Sequence, residues 1–271
     1  RLTGSSLTIA EPMTLSGRST NYTGALLNQG ANNTVNSAIT LAGGDASRIR
    51  SDGSLTLGGT ITNAGASYLE LETGAAGNTL TVTGRITIGS ASLYAFGDGL
   101  VQLDYPASCG NVYPAWNGTL KQGVANAIPA AAVVTLGTTV PNWGKLDLNG
   151  YALTIGGLTT LGSDAGNQVV SATPATLTIS SGSDYTYGGR LSGALSVIKA
   201  GSGTLTLSGS ATNSGALTVS AGRVDVTGAL NPAAGVSVAG GATLSGYGTL
   251  GLVTNNGTLA VGSATNTTTL W

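Results

Sequence analysis

The chain has 271 residues, of which only 8% are charged, with a net charge of −1 and no histidine. Ten Lys and Arg with no basic run exclude a nucleic-acid footprint, and the missing histidine removes the commonest acid–base residue and metal ligand. With 44 glycines, 5% aromatics and a single Phe, the chain cannot fill a thick core with rings, but it can fill a thin one with Leu, Val, Ile and Ala.

Alternation of apolar and polar residues runs from end to end. In chain order the clearest runs are Leu55-Thr56-Leu57, Leu80-Thr81-Val82, Ile86-Thr87-Ile88, Leu146-Asp147-Leu148, Leu177-Thr178-Ile179, Leu205-Thr206-Leu207, Leu217-Thr218-Val219 and Val236-Ser237-Val238. Strand geometry sends the aliphatic residue inward and the Thr, Ser or Asp outward. Gly, Asn or Asp closes each short run, as at Asn149-Gly150, Gly156-Gly157, Ser208-Gly209, Gly240-Gly241 and Asn256-Gly257, because these residues tolerate turn conformations. No segment has helical periodicity. Lys121 to Ala132 is Ala-rich but is interrupted by Pro129, which predicts a loop or one turn. Mean hydropathy is +0.24, yet the longest apolar run, Ala130 to Val134, falls far short of the roughly 18 residues of a spanning helix. No membrane span is expected.

Two well-separated segments, Gly97-Asp98-Gly99-Leu100-Val101-Gln102-Leu103 and Gly201-Ser202-Gly203-Thr204-Leu205-Thr206-Leu207, share one pattern. In each a further glycine follows at the same distance, Gly99 to Gly118 and Gly203 to Gly222. Self-similarity of this kind is the signature of a repeat architecture. Short strands with frequent turns also suit a sandwich or barrel. The number and brevity of the strands, the small aliphatic core and the spacing of charges favour a parallel β-solenoid. Arg48 and Arg50 flank Ile49, and Glu70 and Glu72 flank Leu71, so that one offset carries both arginines onto both glutamates. In adjacent coils that offset stacks Ile49 on Leu71 inside and sets two arginines beside two glutamates outside. At about 22 residues per coil and about 4.8 Å per layer, residues 1–271 make one rod of roughly twelve coils and about 60 Å. Asp104 to Trp116, with Pro106, Cys109 and Pro114, fits the pattern least and is expected to be a loop excursion at 104–116.

The phrase Lys199-Ala200-Gly201-Ser202-Gly203-Thr204-Leu205-Thr206-Leu207-Ser208-Gly209, followed by Leu217-Thr218-Val219-Ser220-Ala221-Gly222, resembles the autotransporter-associated β-strand repeat of bacterial type V secreted passenger domains. Gly144 to Gly150, Gly118 to Lys121 with Asn126 to Pro129, and Gly240 to Leu250 are similar to the same passengers, so the resemblance covers nearly the whole chain and is closest from about 117 to 262. Where the family carries Asn and Tyr before Gly215, this chain has Ala211 and Asn213. The resemblance implies a right-handed parallel β-helix, export, a bacterial surface or extracellular location, and a scaffold without a reaction.

Arg48, Arg50, Glu70 and Glu72 are the main charge constellation. Paired carboxylates can serve as acid and base on a polysaccharide, but each here faces an arginine, so structural inter-coil ion pairs are the favoured reading. Asp45, Asp52, Asp98, Asp104, Asp147, Asp164 and Asp184 are possible calcium ligands, yet no Gly-Gly-x-Gly-x-Asp series accompanies them. They read better as turn residues, and no cofactor is indicated. Cys109 has no histidine to activate it. Tyr94, Tyr105, Tyr113, Trp116, Tyr185 and Tyr187 suggest either cross-coil stacking or an aromatic patch for sugar or protein. Asn-x-Thr sequons at Asn21, Asn32, Asn117, Asn256 and Asn266 reflect turn composition.

No amphipathic capping helix is visible at Leu2-Leu7-Ile9 or at Leu270-Trp271, so the rod is expected to continue at both ends, into more chain or another subunit. The expectation is a non-enzymatic extracellular structural or adhesive β-helix segment whose partners are surface ligands or itself. The alternatives are a filament subunit stacked head to tail and a polysaccharide-active β-helix enzyme.

Overall fold

The computed structural model describes residues 1–18, 24–139, 142–162 and 165–262. Asn21, Asp164, Asn266 and the Leu270-Trp271 terminus lie outside the described residues.

The chain is a parallel β-solenoid. One coil is built from Asn33–Val35, Ile39–Leu41 and Ala46–Ser51, the next from Ser54–Leu57, Ile61–Asn63 and Tyr68–Thr73, and the next from Thr79–Val82, Ile86–Thr87 and Ser92–Phe96. Each strand pairs in parallel with its counterpart one coil away, so the chain winds around three faces. Among the described residues the first face belongs to a 16-stranded sheet whose main path holds twelve strands, eleven turns from first to last against the roughly twelve coils expected. The third face begins as a 7-stranded sheet, from Leu26–Asn28 to Gly157–Thr160, and passes to a 5-stranded sheet from Tyr185–Tyr187 to Thr258–Val261.

Alternation places one inward column along the first face. Asn33 heads it, and Leu55, Leu80, Val101, Leu120, Leu146, Val169, Leu191, Ala211, Leu230 and Leu250 follow, each paired with the next. The steps between them are unequal: Val101 to Leu120 is among the shortest, and Leu120 to Leu146 is the longest. Arg48 lies beside Glu70 and Ile49 beside Leu71, the register that their common offset requires. The shared glycine steps are also single coils, since Leu100 pairs with Thr119 and Thr204 with Arg223. Yet Leu100–Leu103 lies in the 16-stranded sheet and Thr204–Leu207 in the 5-stranded one. A Gly-x-Gly step before an alternating run encodes a turn entering a strand, and any corner of the coil can use it.

Two expectations are corrected. Residues 104–116 do not leave the rod: Ala107 N donates to Ala127 O at 3.0 Å, Ser108 N to Ile86 O at 2.8 Å, and Val112–Pro114 pairs with strands of both neighbouring coils. Pro114 costs little there because its carbonyl, the group it does possess, accepts from Gly137 N at 3.0 Å. Tyr185 and Tyr187 form neither an outer patch nor a cross-coil ring stack. They point inward where the third face changes sheet, and Tyr187 is fully buried, its hydroxyl accepting from Val169 N at 3.1 Å and donating to Arg190 O at 2.9 Å.

The Ala-rich stretch from Lys121 to Ala132 opens with the last two residues of the strand Gly118–Gln122 and continues as a loop over 123–132 that sends Ala127 and Ile128 into the core. Corners are sealed by buried polar side chains. Asn28, Ser51 and Thr73 stack in register; Asn28 Nδ2 donates to Ser51 Oγ at 3.1 Å and Thr73 Oγ1 accepts from Gly99 N at 3.0 Å. These contacts satisfy groups that the turns would otherwise bury unpaired. Lys199 runs inside between Ile179 and Val219, and its Nζ donates to the carbonyls of Ala200 and Gly201 at 2.7 and 2.9 Å.

Candidate functional site

The outer side of the third face carries the charges. Inward Ile49 and Leu71 leave Arg48, Arg50, Glu70 and Glu72 projecting outward from Ala46–Ser51 and Tyr68–Thr73. Arg48 Nε meets Glu70 Oε2 at 2.8 Å, Arg48 Nη1 meets Glu72 Oε2 at 2.7 Å, and Arg50 Nη1 meets Glu72 Oε1 at 2.8 Å. The chain of contacts extends at both ends, to Asp52 through Arg50 Nε at 2.7 Å and to Asp45 through Arg18 Nη1 at 2.9 Å. Arg18 also grips Glu70, its Nε lying 2.9 Å from both carboxylate oxygens.

Arg18 was not legible in the sequence. Its separation from Glu70 is no multiple of the coil step. A bridge between Gly17 and Ser47 sets it beside Arg48 across an unusually long step, a signal that the regular period hides. Its grip makes Glu70 unlike an ordinary surface acid: the carboxylate side chain is 3% accessible.

The two glutamates are driven apart electrostatically. Burial pushes Glu70 upward, but hydrogen bonds from Arg18 and Arg48 outweigh it and hold its pKa below the usual carboxylate value. Burial also pushes Glu72 upward. There, with Glu70 and Asp52 adding like charge, the attraction of Arg48 and Arg50 does not restore the ordinary value, and its pKa is raised.

Beyond the charged rungs the same face turns aromatic. Tyr94 pairs with Glu70 and Phe96 with Glu72, and Tyr113 pairs with Tyr94. Tyr94 and Tyr113 are stacked at 4.5 Å between centroids, Tyr68 meets Tyr94 edge-on at 5.3 Å, and Trp116 meets Phe96 edge-on at 4.4 Å. The Arg48 guanidinium carbon stands 6.0 Å from the Phe96 centroid, within cation–π range. Burial and the neighbouring Tyr113 push the Tyr94 phenol up to about 12, so it stays a neutral donor.

Trp116 divides two hollows. One, of about 320 Å³, is lined by Arg48, Glu72, Phe96, Asp98 and Trp116 with adjoining turn backbone. The other, of about 250 Å³, is lined by Tyr94, Tyr113, Trp116, Thr138, Thr139 and Leu161 among others. Trp116 is 46% exposed and sits at a φ of +46°, followed by Asn117 at +64°.

The other candidate residues are dispersed. Asp98 accepts from Asn117 Nδ2 at 3.0 Å, Asp104 from Gln102 Nε2 at 2.7 Å, Asp147 from Asn149 N at 2.9 Å and Asp184 from Thr204 N at 2.6 Å, all short-range or neighbouring-coil turn contacts. Among the described residues no three acids or cysteines converge as a metal site. Cys109 packs partly buried against the core, and burial pushes its thiol up to about 12. Tyr105 is exposed, and Asn32 and Asn117 occupy left-handed turn positions.

Residues 197–226 match the model of the passenger-associated-transport-repeat family. Neither the curated proteins nor the solved structures compared with the chain gave a match. The matched segment spans the buried Lys199, its turn and the strands Thr204–Leu207, Leu217–Val219 and Arg223–Val226. A passenger-associated-transport repeat set in a parallel β-solenoid fits an autotransporter-passenger-like repeat protein.

Proposed function

We propose that this chain is a non-enzymatic, extracellular segment of a bacterial surface protein, a rigid rod whose work is to extend from the cell and adhere. The single observation behind the reading is the repeat match within an unbroken stack of parallel coils. Such repeats are typically structural, and their family points to a secreted or surface protein. The fate of the best acid–base pair supports the non-enzymatic part: Glu70 is gripped by Arg18 and Arg48, and Glu72 by Arg48 and Arg50. Neither carboxylate is poised alone to exchange a proton with a substrate. A stack in which each coil rests on its neighbours also suits a rod that lengthens turn by turn.

The test is to coat the purified chain on beads and measure attachment to host and bacterial cells, with a polysaccharide-hydrolysis panel run in parallel. Cell attachment with no turnover is the expected result. Turnover that disappears in Glu72→Gln overturns the non-enzymatic reading, and beads that attach to no cell overturn the adhesive one.

A further inference from the structure

We propose that the two hollows flanking Trp116 form adjoining subsites for a neutral oligosaccharide, a ligand class that rests on the adhesive reading and sharpens it. Three observations meet there. First, the third face gathers Tyr94, Phe96, Tyr113 and Trp116 on its outer side within neighbouring coils. An exposed ring offers an electron-rich face to the C–H groups of a pyranose, while ring hydroxyls need polar partners at the edge. Those partners line the same hollows: Arg48, Glu72 and Asp98 on one side of the indole, Thr138 and Thr139 on the other.

Second, Trp116 is presented at a cost. A bulky residue is disfavoured in the left-handed region, yet Trp116 is held there, ahead of Asn117, which tolerates it. The strained turn stands the indole between the hollows, where it is 46% exposed and lines both. The same turn bonds to its neighbouring coils, Trp116 O accepting from Gly97 N at 3.1 Å and Asn117 N donating to Trp143 O at 2.8 Å, so the indole is held in place from both sides. Backbone strain kept at a residue with a half-exposed aromatic side chain points to a contact.

Third, charge selects the class. The ladder sets Arg18, Arg48 and Arg50 against Asp45, Asp52, Glu70 and Glu72, and Asp98 adds a further negative charge beside it. That balance repels a sialylated or uronic-acid glycan. A quaternary ammonium is opposed in turn, because the Arg48 guanidinium already stands at the Phe96 ring. A neutral hexose or N-acetylhexosamine chain meets neither obstacle. Its successive rings lie on either side of Trp116.

The experiment prints neutral hexose and N-acetylhexosamine di- to tetrasaccharides on an array beside sialylated and uronic-acid oligosaccharides, phosphocholine and short peptides. Hits are followed by calorimetric titration of the whole chain, a readout that does not depend on the indole. Trp116→Gly removes the indole, and the relief of the strained φ offsets part of the packing lost against Phe96, so it is expected to stay folded and to bind neutral glycans at least about tenfold more weakly. Asp98→Ala, which gives up only an exposed hydrogen bond from Asn117, weakens the same binding with little change in the melt, and Tyr247→Ala, at a distant exposed tyrosine, leaves it unchanged. Absence of neutral-glycan binding, equal affinity in Trp116→Gly, or preference for the acidic, cationic or peptide probes overturns the proposal. Cell attachment that survives Trp116→Gly leaves the adhesive reading standing and removes only this site.

Discussion

Glu70→Gln should damage the rod far more than Glu72→Gln, although the two glutamates lie on one strand with a single residue between them and share an arginine. Glu70 is the buried member. Its carboxylate accepts from Arg18 Nε at 2.9 Å and from Arg48 Nε at 2.8 Å. A glutamine replaces one oxygen with an NH₂ group, so at least one arginine N–H then faces a donor. Breaking a fully buried pair costs about 3–5 kcal/mol. Here the Arg18 and Arg48 side chains keep 30% and 14% accessibility, and each retains a second carboxylate. Partial resolvation therefore lowers the expected cost to about 2–3 kcal/mol. At Glu72, burial and the like charges of Glu70 and Asp52 already oppose ionisation. Neutralising it is expected to cost under about 1 kcal/mol.

Acid titration carries the same contrast with opposite signs. Glu70 has its folded pKa lowered from 4.5, so its stabilisation is full above that value and is lost as pH falls through the folded pKa. Glu72 has its folded pKa raised from 4.5, so its stabilisation is full below that value and is lost as pH rises through the folded pKa. Glu70→Gln should flatten the loss of stability in acid, and Glu72→Gln should steepen it. Urea unfolding between pH 3 and 7, combined with hydrogen exchange of residues 46–51 and 68–73, reads both effects where each coil touches only its neighbours. Equal protection in the two variants, or a larger loss in Glu72→Gln, would refute the reasoning.

The other expectations are narrower. Gly222→Ala should cost more than about 2 kcal/mol, since a Cβ there meets the carbonyls of Gly201 and Gly203 at 2.4 and 2.7 Å at a φ of +65°, whereas Gly241→Ala, with open space at +82°, should lose only about 1 kcal/mol; comparable urea midpoints for the pair would contradict this. Tyr187→Phe leaves Val169 N and Arg190 O without the hydroxyl that joins them, so a loss of about 1–3 kcal/mol is expected, and an unchanged melting temperature would count against a structural hydroxyl. Cys109 should resist a thiol reagent at pH 8 until the chain unfolds, because burial holds its pKa at about 12; labelling of the native chain at the rate of the denatured one would show otherwise.

Much of the rod was readable because its rules are local. An apolar residue at every second position fixes which side chains enter the core, and a glycine or asparagine every few residues fixes where the chain bends. The alignment of Arg48 with Glu70 followed from those two rules plus one repeated offset, because parallel stacking converts a constant offset into contact. Arg18 escaped because the long step from Gly17 to Ser47 breaks that offset. The Asp104 to Trp116 segment looked like an excursion because Pro106, Cys109 and Pro114 disturb the alternation. The coil accommodates it by bonding through Ala107, Ser108 and the Pro114 carbonyl.

The sequence alone determined the period, the thin aliphatic core, the parallel stack and the partnership of two arginines with two glutamates, since each depends on residues within one window or one coil apart. Only the tertiary structure decided which face a segment occupies, because that depends on the summed lengths of all earlier coils. Those lengths vary along one column, as the short step from Val101 to Leu120 and the long one from Leu120 to Leu146 show. The tertiary structure also decided that Glu70 is buried, that Tyr185 and Tyr187 turn inward and that Trp116 stands between two hollows. Burial is a property of what neighbouring coils place over a side chain, and no single stretch of sequence carries that information.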